Sequence, residues 1–337
     1  MFCCRAMKKI KIAQFGLGDI GIETLKLAAG KPWIEVVAAL DDNPAKIGRP
    51  LTEITGDSSL RGAKVWNTHE ELPEKFRPDI FLHTTGASLT AAAAQIESIL
   101  RAGINVISSC EELIFPQLSN PELAVRLDKA CKDGHSRLLA VGATPALVMN
   151  VLPLCLTGAC RALRAVHIQR VVNASVCRAS VQKKIGSGLP PSEFERQCQA
   201  SGSACAALKQ SLVLLAHGFG GKISDLSETC KAIVAHHDIR THHVEARRGQ
   251  TCGLHQHVQA RLNGGIILEL DLKIFLDAPN PHDACQIDGD PPLNFIINGG
   301  IPNDTALVAL LVNYIPRVLH APPGLLLMTD VGIAAFA

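Results

Sequence analysis

Aromatic side chains are scarce: one tyrosine, two tryptophans and ten phenylalanines stand in a chain of 337 residues. That leaves little ring surface for the stacking platforms on which single-stranded nucleic acids are held. An excess of one charge is missing too. The 33 lysines and arginines nearly balance 31 acids, and a net charge of +2 gives no field that would collect nucleic acid or an anionic membrane. No apolar run is long enough to span a bilayer. The opening "MFCCRAMKKIKIAQFG" lacks the apolar core of a secretory signal, and Met7 is an alternative start. Twelve cysteines are present, but none forms a C-x-x-C pair, and Cys3 and Cys4 do not have zinc-site spacing. Scattered thiols of this kind serve as small apolar residues in a reducing compartment, so a cytoplasmic protein is expected. With 47% hydrophobic and 19% charged residues, the chain is globular rather than disordered.

Over the first part, short apolar runs alternate with helix-compatible stretches. "KIKIAQF", "IEVVAAL", "DIFLHTT", "INVISS" and "RLLAVGA" read as strands. Between them lie "IETLKLAAG", the alanine-rich "SLTAAAAQIESILRAG", which closes on Gly103, and "PELAVRLDKACKDG". Strands this continuously apolar, alternating with helices, predict a doubly wound parallel sheet of the Rossmann type within an α/β chain. After Pro145 the texture changes. "LRAVHIQRVVNASV" and "HVEARRGQTCGLHQHVQARLNGGIILELDLKIFL" alternate without crossover helices, which predicts a second α+β domain on a mostly antiparallel sheet. The expected division is 1–147 for dinucleotide binding, 148–300 for substrate and dimerisation, and 301–337 for a helix and tail returning to the first domain.

"GLGDIG" follows the first strand and opens a helix, the context in which G-x-G-x-x-G becomes informative. Gly16 permits the tight turn, Gly18 the approach of a pyrophosphate, and Gly21 close packing, while Asp19 and Ile20 begin the helix whose N–H groups face the phosphate. Asp41, 20 residues after Gly21, is placed to accept from a ribose hydroxyl. That favours NAD over NADP, although Lys46 and Arg49 just beyond could neutralise a 2′-phosphate, so dual use stays open. His83, Thr84, Thr85 and Gly86 end a strand and should line the dinucleotide crevice; His83 alone also fits a hydrogen-bonded strand-end residue.

In "INVISSCEELIFP" a buried strand ends in two acids, Glu111 and Glu112. Beside a bound nicotinamide, a carboxylate suits chemistry at a C–N bond, because it can hold an ammonium or iminium and carry its protons. Partial burial against "LIF" would tune it. The plain alternative is a cap on the next segment.

"KIAQFGLGDIG", "LDDNPAKIGR", "NVISSCEELIFP", "GATPALVMNVLPL", "VQKKIGSGL" and "GGIPNDTALVALLVNYIPRVL" followed by "PPGLLLMTD" stand in an order that resembles the 2,4-diaminopentanoate dehydrogenases and native amine dehydrogenases, whose Rossmann domain is related to that of dihydrodipicolinate reductase. The resemblance covers residues 8 to about 330. It implies an NAD(P)-dependent amine dehydrogenase, active in reductive amination of a ketone or aldehyde with ammonia and in the reverse deamination. It assigns the catalytic carboxylate to Glu111, with Glu112 as the other register, and places Thr144 and Pro145 beside the nicotinamide. Two departures stand out. "T-P-A" replaces the relatives' usual "N-P-G", and the histidine of their "G-H-x-G" is absent where this chain has "SGSACAAL".

Gln182 and Lys183, ahead of Gly186 and Gly188 at an expected strand end, are candidates for the substrate pocket, as are His255 and His257, two apart on one strand face. No third ligand stands at a metal-site spacing, so no metal is expected. Cys110 beside two acids reads as core, since their charge works against a thiolate. A homodimer is expected, and neither nucleic acid nor a membrane as partner. Two other readings remain: an NADPH-dependent cyclic-imine reductase, for which the "H-H-x-x-K" type motif is missing, and a non-catalytic NAD-binding sensor.

Overall fold

The structure is a computed structural model that describes residues 9–86, 88–201 and 206–337. Cys3, Cys4, Met7 and residues 202–205 of "SGSACAAL" lie outside the described residues. The chain divides into two compact units, one formed by the residues up to Ala143 with Asn303–Ala337, the other by Thr144–Pro302.

The first unit begins with strands β1 (Ile10–Phe15), β2 (Ile34–Leu40), β3 (Val65–Trp66), β4 (Ile80–His83), β5 (Asn105–Ser108) and β6 (Arg137–Ala140). Helices α1 (Asp19–Ala29), α2 (Leu51–Thr55), α3 (Leu89–Arg101), α4 (Pro116–Ser119) and α5 (Pro121–Asp133) connect them. Strands β4 and β5 are buried along their whole length, as a parallel sheet covered on both faces requires. Helix α3 buries Leu89, Ala92, Ala93, Ile96, Ile99 and Leu100, a stripe at three- and four-residue spacing. It stops at Gly103, whose φ of +77° is the left-handed conformation a helix end calls for.

The second unit contains α6 (Leu152–Thr157), β7 (Ala162–Asn173), α7 (Ala179–Lys184), α8 (Pro191–Ser201), α9 (Ala206–Gly218) and β8 (Ile223–Val234). A short ribbon of β9 (Ile239–Arg240) and β10 (Glu245–Ala246) precedes β11 (Thr251–Leu262), β12 (Ile266–Phe275), β13 (His282–Asp290) and β14 (Leu293–Asn298). Six strands form a sheet in the order β14-β13-β7-β12-β11-β8. Neighbours are antiparallel except β7 and β12. Alternation decides its two faces. In "IILELDLKIF", Leu268, Leu270 and Leu272 turn to a core that includes Leu208, Leu212 and Leu215 of α9, while Glu269, Asp271 and Lys273 turn the other way. The "QKK" stretch differs from expectation. Gln182, Lys183 and Lys184 end helix α7 rather than a strand, and the glycine turn follows that helix.

The chain returns to the first unit with α10 (Asn303–Asn313), α11 (Ile315–His320) and β15 (Gly324–Leu326). Helix α10 packs on α1, and β15 adds to the edge of the first sheet. The completed order is β15-β6-β5-β4-β1-β2-β3, all parallel. The strand order reverses between β1 and β4, the switch point at whose carboxyl end such sheets bind ligands. No helix among the described residues is long and apolar enough to cross a membrane.

Candidate functional site

At the switch point the backbone turns out of β1 through Gly16, with φ of +92°. A side chain there would meet the Thr84 backbone at 2.9 Å, and one at Gly21 would strike the Gly16 carbonyl oxygen at 1.9 Å. Gly16 is therefore required by conformation and contact, and Gly21 by contact. Gly18 precedes α1 without a side-chain cap, so the first-turn N–H groups at Asp19, Ile20 and Gly21 lack the partner that a serine or aspartate would supply. Such a helix start fits a phosphate. The turn is laced to the neighbouring loop by Gln14, which sequence reasoning passed over. Its buried Nε2 donates to Thr84 Oγ1 at 2.7 Å and to the Gly16 carbonyl at 3.1 Å. A glutamine inside the apolar run "KIAQF" was the available signal.

Asp41 lies just past β2 and is buried. One carboxylate oxygen accepts from the Leu17 N–H at 2.8 Å and Lys46 Nζ at 3.0 Å, the other from the Asn43 N–H at 2.9 Å. Burial alone would raise its pKa, but the bonds from Asn43, Lys46 and Leu17 outweigh that and hold the carboxyl below its ordinary value. Lys46 also donates to the Leu17 carbonyl at 3.0 Å. Arg49 pairs instead with Glu53 at 3.3 Å on the exposed side of α2. Asp41 and Lys46 are thus brought together, and Arg49 is not.

His83, at the end of β4, is fully buried. Its Nδ1 lies 2.9 Å from Ser108 Oγ, its Nε2 lies 3.0 Å from Thr85 Oγ1, and its ring meets Phe15 edge-on at 5.6 Å. Burial pushes the imidazole pKa down to about 4, so the ring is neutral. With both nitrogens engaged, His83 supports Thr85 rather than offering a ring nitrogen to a ligand. Thr85 and Gly86 are exposed in the loop beyond it.

The acids follow β5 in a single 3₁₀ turn, Glu111–Leu113, and both are exposed rather than half-buried. Glu112 Oε2 accepts the Leu89 N–H at 2.7 Å, at the start of α3. The alternative of a cap on the next segment is not what Glu112 does: it caps the start of α3, which precedes it in the chain, where a carboxylate is favourably placed. The turn itself is entered through Cys110, whose N–H donates to Ser108 Oγ at 3.1 Å. The Cys110 thiol is buried and burial pushes its pKa up to about 11, as suits a core residue.

In the second unit, Thr144 and Pro145 open the segment that follows β6 by three residues, and the Thr144 hydroxyl is buried without a hydrogen bond among the described residues. Ala146, in the position of the relatives' glycine, adopts φ of +99°. Its N–H donates to Asn150 Oδ1 at 3.1 Å, and Asn150 is held in turn by Ser211. Gln182 is fully buried. Its Nε2 donates to the Ser175 and Cys177 carbonyls at 3.2 and 2.9 Å, and its Oε1 accepts from Thr241 at 2.6 Å. The amide therefore clamps its own loop, while Lys183 is exposed. His255 and His257 do share a face. His255 Nε2 lies 2.6 Å from Asp271, and His257 Nε2 lies 2.8 Å from Glu269, whose other oxygen is 2.5 Å from His167 Nδ1. Burial works against charge on Glu269 and Asp271, but their histidine partners prevail and hold both pKa values below the ordinary range. No cluster of three or more potential ligands with metal-site geometry occurs among the described residues.

Comparison with known proteins agrees with this architecture. The chain is 26% identical to 2,4-diaminopentanoate dehydrogenase of Acetoanaerobium sticklandii, across 97% of this chain and 94% of that protein. It is 23% identical to an amine dehydrogenase of Streptomyces virginiae, across 94% of each. The solved amine dehydrogenase of Mycobacterium smegmatis superposes with a TM-score of 0.85 at 21% identity, across 98% of both chains. Residues 147–336, more than half of the chain, match the 2,4-diaminopentanoate dehydrogenase C-terminal domain, and the chain belongs to that family.

Proposed function

We propose that this protein is an NAD(P)-dependent amine dehydrogenase that aminates a ketone or aldehyde with ammonia and deaminates the corresponding amine. The observation that carries the reading is the conjunction, on one parallel sheet, of a dinucleotide-type turn after β1 and an acid-bearing turn after β5. The related amine and diaminopentanoate dehydrogenases supply the reaction class. Gly16, Gly18 and Gly21 with the start of α1 hold the pyrophosphate, and Asp41 accepts from the adenosine ribose. When bound, the nicotinamide supplies or receives hydride.

Glu111 is the catalytic carboxylate in this reading. The resemblance to the diaminopentanoate and amine dehydrogenases points to the first acid of the pair, while the amide of Leu89 bonds its neighbour Glu112. Glu111 holds the ammonium or iminium by charge. It accepts a proton as ammonia adds to the carbonyl carbon and returns it as water leaves, work for which a positioned carboxylate contributes about 10²–10⁴-fold. Asp41 favours NAD. The Lys46 ammonium beside it supports use of NADP as well, because it can turn to a 2′-phosphate. A homodimer belongs to the same reading, with the half-exposed polar face of the mixed sheet as a broad surface for a second copy.

Oxidation of NADH and of NADPH, followed side by side with ammonia and a panel of small ketones and aldehydes, tests the reading. Ammonia-dependent turnover is expected, and Glu111→Gln should lower kcat by about 10²–10⁴ while NADH still binds. Full activity in that variant removes Glu111 from the mechanism. NADH binding without ammonia-dependent oxidation of any carbonyl points to a sensor.

A further inference from the structure

We propose that His83 is a positioning residue, which through Ser108 fixes the turn carrying Glu111 and through Thr85 fixes the loop after β4. The proposal rests on the assignment of Glu111 made above.

The direction of every proton in this chain of bonds can be derived. A backbone N–H only donates, so at Cys110 it occupies a lone pair of Ser108 Oγ, 3.1 Å away. The Ser108 hydroxyl then needs an acceptor for its own hydrogen, and His83 Nδ1 stands at 2.9 Å. Nδ1 is therefore bare, and the single ring proton sits on Nε2, directed at Thr85 Oγ1 at 3.0 Å. Thr85 passes its hydrogen to Gln95 Oε1 at 3.3 Å, on α3. One tautomer satisfies every group. The other turns the Ser108 hydrogen away from His83 and requires the Gln95 amide to turn over. A doubly protonated ring fails in the same way, because it has no acceptor nitrogen left for Ser108. Burial, which lowers the imidazole pKa to about 4, keeps the ring in the neutral form that this arrangement needs.

Geometry gives the chain its consequence. The Ser109 N–H donates to the His83 carbonyl at 2.9 Å, so main chain and side chain both tie the end of β4 to the end of β5. Beyond Ser108 the next fixed point is Cys110, which caps the turn holding Glu111. Glu112 fastens the far side of that turn to α3, the helix that also carries Gln95. The closed circuit runs His83, Ser108, Cys110, the acidic turn, α3, Gln95 and Thr85. Phe15 packs edge-on against the fully buried imidazole at 5.6 Å between ring centroids.

The test uses the full-length protein and two readouts. In the first, ¹⁵N shifts of labelled histidine report the ring tautomer of His83, with Nε2–H expected from pH 8 down to at least pH 6. In the second, Ser108→Ala and Ser108→Thr are compared for kcat and for NADH affinity. Ser108→Ala should lower kcat on the order of ten- to a hundredfold, the scale of a displaced catalytic group, with NADH affinity within about twofold. Ser108→Thr, which keeps the hydroxyl, should restore kcat. Combined with Glu111→Gln, Ser108→Ala should cost nothing further, because residues acting as one unit are not additive. An Nδ1–H ring, unchanged kcat in Ser108→Ala, or an undiminished loss on top of Glu111→Gln overturns the proposal in an active enzyme. A wild-type protein without ammonia-dependent turnover overturns the assignment of Glu111 instead, whatever the tautomer shows.

Discussion

At the carboxyl edge of the parallel sheet, His83 is sealed from solvent between two hydroxyl groups, whereas on the mixed sheet His167, His255 and His257 lie part-exposed against Glu269 and Asp271. The residue type is the same, and the contacts to carboxylates are the shorter ones, 2.5–2.8 Å against 2.9–3.0 Å at His83. Partner and solvent access differ. Hydroxyls in a dry site favour the neutral ring and give it a fixed proton direction. Carboxylates at a wet surface attract positive charge, but water and salt screen the attraction, and such pairs contribute little to stability. The first arrangement makes geometry, and the second makes a charged surface.

If burial rather than charge sets the energetic scale, the mixed sheet contains its own control. Arg170 and Asp283 face each other across β7 and β13, both buried, with Nη1 and Oδ1 2.5 Å apart. The Ile301 N–H and carbonyl complete the pair at 2.7 Å each. Asp283→Ala strands a buried guanidinium and should cost about 3–5 kcal/mol, read as a shift in the urea midpoint at constant slope. His83 comes next. Its folded pKa of about 4 lies below the unfolded value of roughly 6.5, so the unfolded chain takes up a proton first as the pH falls. Its contribution is complete above pH 6.5 and is lost between there and pH 4, by about 3 kcal/mol in all. Urea titrations at pH 7 and pH 4.5 should show this loss in the wild type and a smaller one in His83→Gln. An equal loss in both would put the acid sensitivity elsewhere.

Ala146 separates conformation from both kinds of pairing. It is fully buried, makes its N–H bond to Asn150, and still holds φ of +99°, where a Cβ is strained by about 1–3 kcal/mol. Ala146→Gly relieves that strain at some cost in chain entropy, and thermal unfolding should move upward by an amount equivalent to about 1 kcal/mol. The smallest effect belongs to the ladder. His257→Ala should change stability by no more than about 1 kcal/mol, and the change should shrink further in 1 M salt. A larger loss would mean that the ladder is less open to solvent than its exposure indicates.

The sequence displayed most of this fold wherever a pattern was local. "GLGDIG" after an apolar strand located the turn, and the alternation that includes "IILELDLKIF" marked the second domain as a sheet without crossover helices. Gln182 shows the limit. "VQKKIG" is too short for a helical period to appear, and nothing nearby in sequence announces that Ser175, Cys177 and Thr241 would claim its amide. The capping of α3 by Glu112 was equally hidden, since it depends on the start of a helix 23 residues earlier. Lys46 was noticed for its charge, but its bond to Asp41 depends on how the turn after β2 folds back. The His83 chain could not be read at all, because it exists only once β4 and β5 lie side by side.

The close approach of Gly21 to the carbonyl of Gly16 has a consequence for how this protein can change. The floor of the turn is main chain against main chain, braced by the Gln14 amide, and neither glycine can be exchanged for a residue with a side chain. Variation is freest around the rim, as at the exposed Thr85, whereas Asp41 and Lys46 both bond to Leu17 inside the turn and cannot change without loosening it. Changes of charge around this turn therefore have a short menu of positions, while the floor offers none.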